Sequence, residues 1–128
     1  MRFQRTILLL LILLFGKTVV AQSFEGIWKG TSLCQLKNSP CHDENVVYHI
    51  SKDSSGNSYE MQANKIVDGK EVDMGTLIFT YDDKQKVFVS VDSIHNARWE
   101  FKLTGNTMKG TLMSKGDLYR VVDVKREN

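Results

Sequence analysis

Phe24-Glu25-Gly26-Ile27-Trp28-Lys29-Gly30-Thr31-Ser32-Leu33-Cys34 alternates two kinds of side chain. In an extended chain, alternate side chains point to opposite faces. One set here is Phe24, Gly26, Trp28, Gly30, Ser32 and Cys34; the other is Glu25, Ile27, Lys29, Thr31 and Leu33. The first set mixes large aromatics with small residues, which suits the crowded inner wall of a small barrel. Glycines weaken a flat strand but let a strand coil sharply. The stretch reads as the first strand of a closed β-barrel, with Trp28 in its core or lining a cavity inside it.

Seven more strands follow by the same alternation: Glu44 to Lys52, Tyr59 to Val67, Val72 to Tyr81, Gln85 to Val91, Ala97 to Leu103, Thr107 to Ser114 and Leu118 to Lys125. Turn chemistry separates them. Asp53-Ser54-Ser55-Gly56-Asn57, Asp82-Asp83-Lys84, Ser93 to Asn96 and Gly105-Asn106 are turn clusters, and Asp68-Gly69 is a two-residue hairpin signal. No segment carries a helical period of useful length. Nearly every connection has hairpin length, which favours an all-β, eight-stranded antiparallel up-and-down meander barrel over a Greek-key sandwich. Closure also removes exposed strand edges. The expected interior is Trp28, Tyr48, Phe79, Tyr81, Trp99, Phe101, Met108 and Leu112. Gly-Thr recurs mid-strand at Gly30-Thr31, Gly75-Thr76 and Gly110-Thr111, which reads as strand chemistry with glycine for curvature.

Gly26-Ile27-Trp28 resembles the G-x-W pattern that opens the first strand of calycin-type barrels, the lipocalins, avidins and their relatives. The resemblance implies a lipocalin-like barrel. It also implies that a basic residue on the final strand, Arg120, packs over Trp28 as a cation–π pair closing one end.

Ahead of this stretch, Arg2 and Arg5 precede an unbroken apolar run from Ile7 to Phe15, and Val19-Val20-Ala21 ends in small or modest residues. This is the layout of a secretory signal peptide cut after Ala21. The run falls short of the roughly 20 residues a spanning helix needs. The expected organisation is a signal peptide over residues 1–21 and one barrel domain over residues 22–128, secreted or periplasmic, with no membrane span after cleavage. Losing Arg2, Arg5 and Lys17 from the 17 basic residues leaves 14 against 15 acidic, so the net charge falls from +2 to −1. The charges are interspersed, which argues against nucleic acid. Cys34 and Cys41, the only cysteines, read as a disulfide in an exported chain, worth about 2.5 kcal/mol in the chain-entropy picture. The alternative is a metal site with His42.

No catalytic, cofactor or metal-binding motif emerges. His42 and His95 sit in loops and His49 on the face opposite Tyr48; Asp82 and Asp83 belong to a turn, and Ser54-Ser55-Gly56 is no nucleophile elbow. The expectation is a protein that is not an enzyme and carries no cofactor. Three readings of function stand. The first is a binder of a small apolar or amphipathic ligand held by Tyr48, Phe79, Tyr81, Trp99, Phe101 and Met108. The second is a protein-binding module, such as a small secreted protease inhibitor, where only Gln22 to Phe24 precede the motif. The third is a structural envelope domain with a solid core.

Overall fold

A computed structural model describes residues 23–127. The expected signal peptide and its cut at Ala21 lie outside the described residues.

The eight strands are β1 (Gly26–Cys34), β2 (Glu44–Lys52), β3 (Ser58–Val67), β4 (Lys70–Asp82), β5 (Val87–Asp92), β6 (Ala97–Thr104), β7 (Thr107–Ser114) and β8 (Asp117–Arg126). Each pairs antiparallel with the next, and β8 returns to β1, closing the barrel. This is the meander the alternation predicts. Among the described residues, no helix is long and apolar enough to cross a membrane. Asp68-Gly69 and Lys115-Gly116 both hold two consecutive positive φ angles, the turn geometry whose twist matches that of the strands it joins. Three strand starts shift by two residues: β1 begins late at Gly26 rather than Phe24, β4 early at Lys70, and β5 late at Val87. On β5 the conspicuous valines 87, 89 and 91 face outward, while Phe88 and Ser90 are the buried residues.

One end of the barrel is filled. Phe24, Trp28, Phe79, Phe101, Met108, Val122 and Val124 are all but inaccessible to solvent. Phe24 does not belong to β1. The chain crosses the barrel base there, and the ring stacks on Phe88 at 3.9 Å and meets Tyr59 and Phe79 edge-on at 5.3 and 5.6 Å. Trp28 Nε1 donates to the Phe24 carbonyl at 3.1 Å. Arg126 donates to the carbonyls of Ser23 and Glu25. Its guanidinium lies 4.3 Å from the Trp28 ring.

This last contact corrects the sequence reading: the cation over Trp28 is Arg126, not Arg120. Both arginines share the inner face of β8 with Val122 and Val124. The β1–β8 register sets Trp28 against Arg126 and Cys34 against Arg120. Six residues of strand separate the two arginines, about 20 Å along the chain. Tyr81 is a second correction. It shares the inner-face parity of Phe79, but it sits at the base rim, 45% exposed, with its ring beside Phe88 at 4.9 Å.

Two of the recurring glycines answer to crowding as well as to curvature. A Cβ at Gly110 would run into the Phe101 ring, which lies across it from the paired position on β6. A Cβ at Gly30 would strike the backbone of Asp123 and Val124.

Candidate functional site

The end opposite Phe24 is hollow. Its cavity, about 270 Å³, is bounded by Ser32, Glu44, Tyr48, Met61, Ala63, Met74, Leu77, Trp99, Phe101 and Arg120, with Gly75 and Thr76 at one side. The wall is apolar and aromatic on β2, β3, β4 and β6. The Trp99 and Phe101 rings lie nearly parallel at 6.0 Å, and Tyr48 meets Phe101 edge-on at 6.0 Å.

Polar groups gather at one pole of this cavity. Arg120 Nη1 donates to the Ser32 carbonyl at 3.3 Å and to Ser32 Oγ at 3.2 Å. Glu44 Oε2 stands 3.9 Å from the same nitrogen, an ion pair without a hydrogen bond. The Arg120 side chain is only 13% exposed. Burial drives the Tyr48 hydroxyl well above the ordinary phenol range; the Arg120 charge opposes that shift, Glu44 adds to it, and Ser32 opposes it by hydrogen bonding. Tyr48 therefore remains a neutral phenol.

Local sequence explains how this pole is built. β1 ends at Cys34, which is joined to Cys41 by a disulfide with the Cα atoms 5.9 Å apart. The Cys34 amide donates to Asp43 Oδ1 at 2.7 Å, and the Gln35 amide donates to the Tyr119 carbonyl at 2.9 Å. These bonds tie the loop to β1 and β8, and Glu44, the first residue of β2, stands beside Arg120. With both thiols in the disulfide, the metal alternative with His42 falls away, since thiolate ligands are required for it. On β8, Tyr119 has no opposite residue in the β7 ladder, where Leu112 pairs with Arg120 and Met113 with Leu118. This bulge re-aims the start of the strand.

The wall is least complete beside this cavity. β4 and β5 share a ladder of three pairs, Thr80–Val89, Tyr81–Phe88 and Asp82–Val87. Above them, β4 has a partner only in β3. At Met74 a second bulge interrupts the ladder: Ala63 pairs with Gly75 and Asn64 with Asp73, leaving Met74 unopposed. Gly75 holds φ at +118°, which side-chain-bearing residues avoid. Four consecutive residues, Met74 to Thr76 and Leu77, border the cavity. The bulge breaks the alternation of faces, so adjacent residues meet the same space. The β4–β5 seam thus lies next to the stretch of cavity wall formed by Met74 to Leu77.

Of the residues the sequence puts forward as ligand-binding, Tyr48, Trp99 and Phe101 meet at this cavity. Phe79 and Met108 are packed in the filled half, and Tyr81 lies at the opposite rim. A shallow groove of about 430 Å³ runs past Tyr81, Tyr59 and Phe88 there, bordered by Lys86 and Lys102. It lacks a buried polar pole. The residues that sequence reasoning missed are Ser32, Glu44 and Arg120. Their signal was present: Ser32 and Arg120 are polar residues on inner-face positions between apolar ones.

Outside the cavity, His49 Nε2 lies 2.6 Å from Glu71 Oε1, and Asn64 Nδ2 donates to the same oxygen at 3.1 Å. The His49 hydrogen bond, joined by that of Asn64, holds the Glu71 carboxyl below its ordinary range. His95 pairs with Asp92 inside the β5–β6 turn. Among the described residues, no group of three or more His, Cys, Asp or Glu side chains converges as a metal site. No family model matches this chain, and no curated protein matches it either.

Proposed function

We propose that this chain is an exported, lipocalin-like barrel that holds a small apolar or amphipathic molecule in the cavity between Tyr48, Trp99 and Phe101. The observation that carries this reading is the division of the interior. One half is packed solid around Phe24, and the other keeps about 270 Å³ walled by aromatic and methionine side chains with a polar pole at Arg120. Binding sites of this kind combine an apolar lining with a few placed polar groups. The G-x-W strand and its arginine clamp support kinship with calycin-type barrels. The disulfide agrees with an oxidising compartment, where such links persist.

A protein partner is the second reading, favoured by one observation. Ile78 and Val91 flank the seam and Ile94 caps the next turn, and all three are more than half exposed. Such residues at an incompletely paired edge suit contact with another chain.

Native mass spectrometry of the protein, purified without organic solvent from the compartment it is exported to, tests the first reading. A mass increment that vanishes on denaturation, together with ligand-dependent quenching of Trp99 fluorescence, is the expected result. A chain that carries no increment, and whose Trp99 responds to no apolar probe, overturns it in favour of the protein partner.

A further inference from the structure

We infer that the molecule held in this cavity carries a single carboxylate, received by the guanidinium of Arg120. The inference rests on the ligand-cavity reading above and adds the chemistry of the head group.

Arg120 has five N–H donors in a planar fork. Two of them are used, both on Nη1 and both toward Ser32. Nε and Nη2 have no acceptor among the described residues. Protein atoms do not seal them off either, since the buried, unpartnered side-chain polar atom is Asn64 Oδ1. An arginine side chain this deeply placed, with three N–H groups unspent at an aromatic-walled cavity, calls for an acceptor from outside. A hydrocarbon entering the cavity would displace water from those donors and give nothing back, which is costly. A carboxylate matches Nε and Nη2 as a bidentate pair.

Glu44 narrows the choice further. Its carboxylate already stands 3.9 Å from Nη1. A monoanion leaves one cation between two singly charged groups, whereas a phosphate dianion would crowd three negative charges around it. The Tyr48 hydroxyl, neutral and buried, supplies a donor beside the same pole. At roughly 30 Å³ per water-sized group, the cavity volume suits a ligand of about ten non-hydrogen atoms, a medium acyl chain or one substituted aromatic ring.

Octanoate and 1-octanol test this directly, because they share the chain and differ in the head. Binding is followed at pH 7.5 by calorimetry and by the Trp99 indole N–H resonance. Octanoate is expected to bind about 10- to 100-fold more tightly than octanol, the range for a charge-assisted bidentate contact. Arg120→Met should bring the two within about twofold, with the fold checked by its amide spectrum. Glu44→Gln, which leaves the arginine in place, should tighten octanoate and leave octanol unchanged. Octanol binding as tightly as octanoate in the unmodified protein overturns the carboxylate while leaving the cavity reading intact. A preference that survives in folded Arg120→Met overturns it equally. Neither probe moving Trp99 overturns both.

Discussion

Phe24→Ala is the perturbation that separates a structural plug from a loose chain end. Phe24 lies outside the β1 ladder, yet it is fully buried and packs against Phe88, Tyr59 and Phe79. Removing the ring strips on the order of 150 Å² of apolar burial. At ~25 cal/mol/Å² that is about 4 kcal/mol, and phenylalanine truncations in cores span roughly 3–5 kcal/mol. The hydrogen bond from Trp28 goes to the Phe24 carbonyl, so the substitution leaves it in place and the loss is one of packing. Urea unfolding followed by Trp fluorescence should show a lower midpoint with an unchanged slope. The melting temperature should fall by about 15–30 °C, given 4–8 °C per kcal/mol for a domain of this size. A loss under about 1 kcal/mol would mean that Phe24 is a frayed terminus and not a plug.

Replacing Cys34 and Cys41 together with Ser should cost about 2.5 kcal/mol while the barrel stays closed, because β1 keeps full ladders to β2 and β8; equilibrium unfolding with and without reductant measures the difference. Asp53 accepts hydrogen bonds from Ser55 and Ser58 that hold its carboxyl at about 2 instead of the usual 3.8. A depressed folded value means the turn gains stability above pH 3.8 and loses it as the pH falls from 3.8 to about 2. Carboxyl chemical shifts across that window should give a midpoint near 2, and Asp53→Asn should remove the dependence.

The alternation of small, aromatic and polar residues carried most of the architecture, because a strand's two faces are a local property. Glu44 to Lys52 and Thr107 to Ser114 match β2 and β7 residue for residue. What escaped was register between strands far apart in the chain. Arg120 and Arg126 have the same parity, so alternation alone treats them alike. Only the β1–β8 pairing, made across some ninety residues, assigns one to Trp28 and the other to the cavity. Tyr81 failed for a related reason: parity says which way a side chain points, not whether the barrel extends far enough to cover it. The bulge at Met74 had its glycine in view at Gly75, but the recurring Gly-Thr pattern made that glycine look like its counterparts. On β5 the run of valines drew attention to the outer face, while the buried Phe88 sat between two of them.

The β4–β5 seam gives the molecule a mechanical asymmetry. A hoop whose joints are all equally strong resists widening everywhere, and its bore is fixed. Here one joint holds three pairs while β3 and β4 share ten, so strain applied from inside concentrates there. The Phe24 plug and the Arg126 clamp anchor the far end of the same staves. By that measure the barrel is built like a split collar, with its weakest joint beside the cavity and its base packed solid.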